Sequence, residues 1–206
     1  MKHKLLTLSL AASAFFGPDS LAYADLMTNT DLDPFEAISK KRRMSEEMHD
    51  ALNKQLKEEL NAAYMYLSMS VYCDQQGLEG FASWFHMHAN EEMEHATRFM
   101  NFMRDRGAEV KLPALAAPKT DYASPLEAFQ TALAHEQDLS LKIHDLYGLT
   151  QELKEYDAGA FVMWFLQEQV EEENLFSNIA QKLIMLQDGN KGHILTLDKE
   201  LGERQK

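Results

Sequence analysis

The run Glu91-Glu92-Met93-Glu94-His95 sets a carboxylate, Glu92, and an imidazole, His95, three residues apart. On a helix such residues lie one turn apart on the same face, so both can reach one small site. An isolated pair of this kind is common on helix surfaces; its weight here comes from three further acids. Stepping by three and four residues, residues 46–77 present Leu52, Leu56, Glu59, Ala63 and Tyr66 on one stripe. Residues 78–106 present Phe81, Phe85, His88, Glu92, His95, Phe99 and Phe102. The next stripe is Leu126, Phe129, Leu133, Glu136, Ser140, Ile143 and Tyr147, and the last is Phe161, Phe165, Glu168, Glu172, Leu175 and Ile179. Each is apolar at both ends and acidic in the middle. A midpoint keeps its height whichever way a helix runs, so packed side by side the four stripes bring these carboxylates into one layer. Bare carboxylates in a core are costly, and a multivalent cation is the natural compensation. Carboxylates with one or two histidines suit iron or manganese, and with Cys73 as the single cysteine no thiolate zinc site can form. His88, one heptad before His95, reads as a hydrogen-bonded core histidine rather than a ligand. The remaining stripe aromatics and methionines read as packing, and Met93 alone is poor support for a haem ligand.

Helices must hold these stripes, and their ends are marked. Ser45 followed by Glu46 and Glu47 is an N-cap with acids in the first turn, opening a helix that runs to Gly77. A second segment spans Leu78 to Arg106 and stops at Gly107. Residues 107–124, with Pro113 and Pro118, fit neither helix nor strand. Ser124-Pro125-Leu126-Glu127 combines proline at the first helical position with a Ser/Glu capping box. That third helix extends to about Thr150, and Asp157 is a candidate cap for a fourth that runs to about Leu186. A short fifth helix fits His193 to Leu201. The four long helices would each span about 40 to 45 Å, and the middle link is long enough to travel the length of a bundle. The expected fold is all-α: a four-helix bundle with one long crossover and a short C-terminal fifth helix.

Composition sets the outer bounds. With 206 residues, 45% hydrophobic and 26% charged, the chain can bury a core and is not disordered as a whole. Its 33 acidic against 20 basic residues give a net charge of −13, which repels phosphate backbones and excludes nucleic acid as a partner. Lys2 and Lys4, the apolar run Leu5 to Phe16, the Gly17-Pro18 break and Ala22-Tyr23-Ala24 have the layout of a secretory signal peptide over residues 1–24. The apolar run is too short for stable membrane insertion. Cleavage before Asp25 leaves 18 basic and 32 acidic residues, or −14, and an exported, periplasmic or extracytoplasmic protein. The segment Ala12 to Pro18 also resembles the junction of a bipartite plastid leader, although Asp25, Asp31, Asp33 and Glu36 are atypical of one. Plastid, or cytoplasm if the signal is not used, remain the alternatives. Residues 25–44, with Lys40-Lys41-Arg42-Arg43, read as a flexible lead to a functional domain over 45–206.

The chain from Leu52 to about Leu201 resembles the bacterial-type non-haem ferritins. The resemblance rests on Lys54-Gln55-Leu56-Lys57-Glu58-Glu59-Leu60, His88 to His95, Glu136-Gln137, and Glu168-Gln169-Val170-Glu171-Glu172-Glu173-Asn174-Leu175-Phe176. It implies that Glu59, Glu92 and His95 bind a first iron, and that Glu92 bridges to a second held with Glu136 and Glu172. It further implies that Gln169 lines this centre, that Tyr66 stands beside it, and that Glu91, Glu168 and Glu171 hold a third, adjoining iron. Bacterioferritins carry a second Glu-x-x-His where this chain has Gln169-x-x-Glu172, so no haem is expected. The activity implied is a ferroxidase within a homo-oligomeric shell of 24 subunits that oxidises Fe(II) with oxygen or peroxide and stores the mineral. Two Fe(II) ions about 3.5 to 4 Å apart can each give one electron to a shared oxidant. Carboxylates, being hard donors, favour the resulting Fe(III). Two other classes fit the layer of acids less well. A di-metal enzyme with an organic substrate needs room that the bulky Phe and Tyr residues deny, and a non-catalytic scaffold needs basic partners that no central stripe supplies.

Overall fold

A computed structural model describes residues 44–186 and 191–203, and the expected signal peptide and nearly all of the flexible lead lie outside the described residues. Every regular element among the described residues is helical: α1 Glu46–Gln75, α2 Glu79–Asp105, α3 Pro125–Glu152, α4 Tyr156–Met185 and α5 Lys191–Glu203. The two expected serine caps are in place. The Ser45 hydroxyl accepts from Met48 N, and that of Ser124 accepts from Glu127 N with Pro125 following it. Gly77 and Gly107 end α1 and α2 in the left-handed conformation, at φ 73° and 69°, which L side chains rarely adopt.

The fourth cap differs from expectation. Asp157 lies inside the first turn of α4, where it pairs with Arg106 at the end of α2 at 2.9 Å. Glu155 occupies the cap position without a capping hydrogen bond, because its carboxylate instead accepts from Ser45 N at 2.9 Å and ties α4 to the start of α1. The α2 start likewise lacks a cap of its own and borrows one. Asp198 of α5 accepts from Phe81 N at 2.7 Å, and α5 lies so close that a Cβ on Gly80 would sit 1.8 Å from the Asp198 carbonyl oxygen.

The crossover runs along α1 from one end to the other. Near the start of α1, Asn53 donates to Glu109 O and accepts from Lys111 N; near its far end, Ser68 donates to Lys119 O and Tyr72 packs on Tyr122. Consequently α3 begins level with the end of α1, and α1 and α4 run opposite to α2 and α3. α1 packs chiefly on α2, and α3 on α4. The core between them divides into two apolar clusters. One, toward α5, contains Phe81, Trp84, Phe85, Phe129 and Phe176; the other, toward the α3–α4 turn, contains Leu52, Leu56, Phe99, Ile143 and Phe165.

Candidate metal centre

Between the two clusters lies a layer of buried polar side chains contributed by all four long helices. Glu59 comes from α1, His88, Glu92 and His95 from α2, Glu136 and Ser140 from α3, and Gln169 and Glu172 from α4. Glu136 is wholly buried, Glu59 and Glu92 are 1% and 2% exposed, and no lysine or arginine among the described residues is buried. Among the described residues, no buried lysine or arginine therefore offsets the four carboxylates in the core.

The ligand atoms of Glu59, Glu92 and His95 lie within 4.8 Å of one another. His95 Nδ1 is 3.2 Å from Glu92 Oε2 and 3.9 Å from Glu59 Oε2, and the edges of Trp164 and Phe165 hold the ring in place. Gln55, one turn before Glu59, donates to its Oε1 at 2.9 Å, while Glu59 Oε2 has no hydrogen-bond partner. Across the layer, Tyr66 donates its hydroxyl to Glu136 Oε1, and the Gln169 amide donates to Glu136 Oε2 at 3.1 Å and to the Glu136 carbonyl at 3.2 Å. Ser140, which accepts weakly from Gln169, donates to Glu173.

Burial dominates the electrostatics. It pushes the Glu59 carboxyl well above the usual carboxylate range, and the Glu92 charge adds to the effect. Glu92 is raised in the same way, by burial and then by Glu136, and Glu172 is pushed up to about 8 by burial and then by Glu136, Glu91, Glu168 and Glu171. The Tyr66 hydroxyl is held well above its ordinary range by burial and by Glu136, so it stays protonated and remains a donor. Burial thus favours the protonated form of Glu59, Glu92 and Glu172.

The residues inferred from the sequence do not all converge. Glu59, Glu92 and His95 form one close group; Glu172 belongs to a second, with His88 and Glu91. Glu136 is in neither group but faces both, being near enough to raise Glu92 and Glu172 alike. Glu168 and Glu171 also stand outside both groups. The α4 stripe needs correction: Gln169 and Phe176 are the buried positions, whereas Glu168 and Leu175 are only half-buried. Three-four stepping fixes the face of a helix to within one residue, and Glu168 and Gln169 are adjacent. His88 is buried as expected, with its Nδ1 3.0 Å from Glu91 Oε2 and 3.5 Å from Glu172 Oε2, while its Nε2 has no hydrogen-bond partner. Sequence reasoning gave no role to Gln55, which orients Glu59; its position one turn before a buried acid was the available signal.

Comparison with known proteins agrees with this geometry. The chain matches the ferritin-like domain family over residues 49–186. It is 40% identical over 159 residues to a probable bacterial non-heme ferritin-like protein of Haemophilus influenzae, covering 77% of this chain and 96% of that one. It is 38% identical over 161 residues to a bacterial non-heme ferritin of Staphylococcus aureus, covering 78% and 96%. Among solved structures, a novel open pore ferritin from the archaeon Archaeoglobus fulgidus superposes with a TM-score of 0.76 at 39% identity, covering 77% and 96% of the two chains.

Proposed function

The chain belongs to the ferritin family of iron-storage proteins, and from that premise we propose that it is a ferroxidase that oxidises Fe(II) inside each subunit and stores the product as mineral. The observation that carries this reading is the charge balance of the mid-bundle layer: four buried carboxylates and His95, with no buried lysine or arginine among the described residues to match them. Two Fe(II) ions supply that match. Glu59, Glu92 and His95 hold one, Glu136 and Glu172 hold the other, and Glu92 lies between them.

The two ions are the substrate, and each gives up one electron. Dioxygen takes both electrons and two protons to become hydrogen peroxide; peroxide as oxidant gives two waters instead. Metal binding displaces protons from Glu59, Glu92 and Glu172, all of which hold them above the ordinary carboxylate range. Tyr66 and Gln169 fix the Glu136 carboxylate by hydrogen bonds to its two oxygens, so one side of the site is set before iron arrives. Phe165 and Trp164 fix His95 on the other side. Hard carboxylate donors favour Fe(III) over Fe(II) and pull the oxidation forward.

Storage requires a closed homo-oligomeric shell, for which 24 copies of a mature chain amount to about 500 kDa. The test is aerobic Fe(II) loading of the purified protein, followed by sizing and iron counting. A particle of that size retaining far more than two irons per subunit is expected. A monomer or dimer that oxidises iron and releases it all would overturn the storage reading. The signal-like layout of residues 1–24 supports export of the protein, with sequencing of the mature N-terminus as the check on cleavage before Asp25.

A further inference from the structure

We propose that Ser140 and Glu173 are positioning residues for the second iron, acting in series on Gln169 and through it on Glu136. This rests on the ferroxidase reading, because the setting of Glu136 matters to iron only if Glu136 is a ligand. Glu173 itself stands outside both close groups of possible ligands.

A serine or threonine hydroxyl inside a helix commonly donates to the carbonyl four residues back. Thr97, Thr131 and Thr196 follow that rule, donating to Met93 O at 2.8 Å, Glu127 O at 2.8 Å and Gly192 O at 3.1 Å. For Ser140 the carbonyl four back is Glu136 O, and Ser140 donates elsewhere. Its side chain is buried, and its hydroxyl crosses to α4 and donates to Glu173 Oε1 at 2.5 Å. The Glu136 carbonyl is thereby left to Gln169. The Gln169 amide nitrogen lies 3.2 Å from that carbonyl, 3.1 Å from Glu136 Oε2 and 3.4 Å from the Ser140 oxygen.

A hydroxyl has one hydrogen to donate, so its direction decides what Gln169 meets. With Glu173 accepting that hydrogen, the Ser140 oxygen turns lone pairs toward Gln169. The Gln169 nitrogen then faces three acceptors, and an amide turned the other way would set its oxygen against all of them. Glu136 receives Gln169 on one oxygen and Tyr66 on the other, and so presents a fixed carboxylate to the ion it shares with Glu172. Without Glu173, the Ser140 hydrogen can return to Glu136 O, compete with Gln169 for it and loosen the amide. Partners that orient metal-binding side chains contribute about 10- to 100-fold in affinity. Ser140 and Glu173 stand one and two bonds further out than Gln169, which points to the lower end of that range.

The test measures Zn(II) binding to the metal-free, assembled protein by calorimetry, with crystals soaked at graded Zn(II) to assign each affinity to its position. Ser140→Ala and Glu173→Ala should each weaken the position of Glu136 and Glu172 about tenfold and leave that of Glu59, Glu92 and His95 unchanged. In the double variant the loss should equal that of one substitution, because both cut the same chain of hydrogen bonds. For Fe(II) oxidation, the concentration giving half the maximal rate should rise about tenfold while the maximal rate holds. Losses that multiply in the double variant would mean that Glu173 acts by its charge on the ion and not through Ser140. Equal weakening of both positions, or of neither, would mean that Glu136 is not being positioned. Any of these results overturns the proposal and leaves the ferroxidase reading standing. If the Glu173 variant fails to assemble, Ser140→Ala, which leaves every charge in place, decides the matter by whether the weakening is confined to the one position. Zinc absent from both positions in the unsubstituted protein would overturn both readings.

Discussion

The two ends of the bundle and its middle are built on opposite principles. Toward α5, the rings of Phe81, Trp84, Phe85 and Phe129 interlock at centroid distances from 4.5 to 5.4 Å; toward the α3–α4 turn, Phe99, Phe161 and Phe165 do the same. Each such ring contributes about 1.5 to 3 kcal/mol by leaving water. The layer between them buries Glu59, Glu92, Glu136 and Glu172 instead, and leaves oxygens of Glu59 and Glu172 without donors. Without a metal that layer subtracts from stability. Stabilising packing and chemistry therefore reside in different slices of the same four helices, and substitutions in the apolar slices should leave the metal chemistry intact.

The largest effect expected is on stability at an end. Phe129→Ala should cost about 3 to 5 kcal/mol in urea unfolding, because Phe129 is fully buried against Phe81, Trp84 and Phe85. The protein that remains folded should bind Zn(II) with unchanged affinity; a parallel loss of affinity would break the separation. Next is His95→Ala, which removes the imidazole of the first close group while sparing both apolar clusters. The initial rate of Fe(II) oxidation in stopped flow should fall at least about tenfold with the assembly intact, and an unchanged rate would remove His95 from the site. Smaller again is Asp198→Ala, which takes away the borrowed cap on α2. It should cost about 1 kcal/mol and leave iron oxidation as it was; a slower oxidation would mean that the α5 end reaches into the metal layer.

What the sequence disclosed follows the same division. Periodicity and end signals are properties of one segment at a time, and they located the stripes to within one residue, both serine caps and the crossover. Periodicity also placed Glu59, Glu92, His95, Glu136 and Glu172 in one layer, since height along a helix needs no knowledge of its neighbours. What it missed depends on more than one helix. Glu155 accepts from Ser45 N, the cap residue of α1, rather than capping its own α4, and Asp198 caps α2 from a distant part of the chain. The choice of Gln169 over Glu168 turns on a rotation of α4 that only packing against α3 decides, through the bonds from Gln169 to Glu136. His88 is the core histidine its stripe suggested, but the two carboxylates that face its Nδ1, Glu91 and Glu172, become visible only once the helices are packed.

The finest test asks whether the middle layer opposes folding until metal binds. Glu59, Glu92 and Glu172 have carboxyls raised by burial, and the Glu136 charge is the next cause for Glu92 and Glu172. In the native state they hold protons that the unfolded chain has already lost. Between pH 4.5 and about 8, the span of the Glu172 shift, the native state binds more protons, so the metal-free protein should lose stability as pH rises. Each extra proton contributes a slope of roughly 1.4 kcal/mol per pH unit. Replacing Glu59 and Glu136 together with Gln removes two of the interacting ionisable carboxyls and keeps their shape. Gln55 and Tyr66 can still donate to the remaining amide oxygens, and Gln169 can turn its own amide to accept from the new one. The metal-free double variant should therefore be at least as stable as the metal-free parent at pH 8, lose stability less steeply with pH, and no longer oxidise iron rapidly. Anaerobic Fe(II) addition should release protons from the parent and fewer from the variant. If the double variant is clearly less stable at pH 8 and the parent releases no protons, the buried acids are satisfied within the protein itself, and a metal is not what completes the layer.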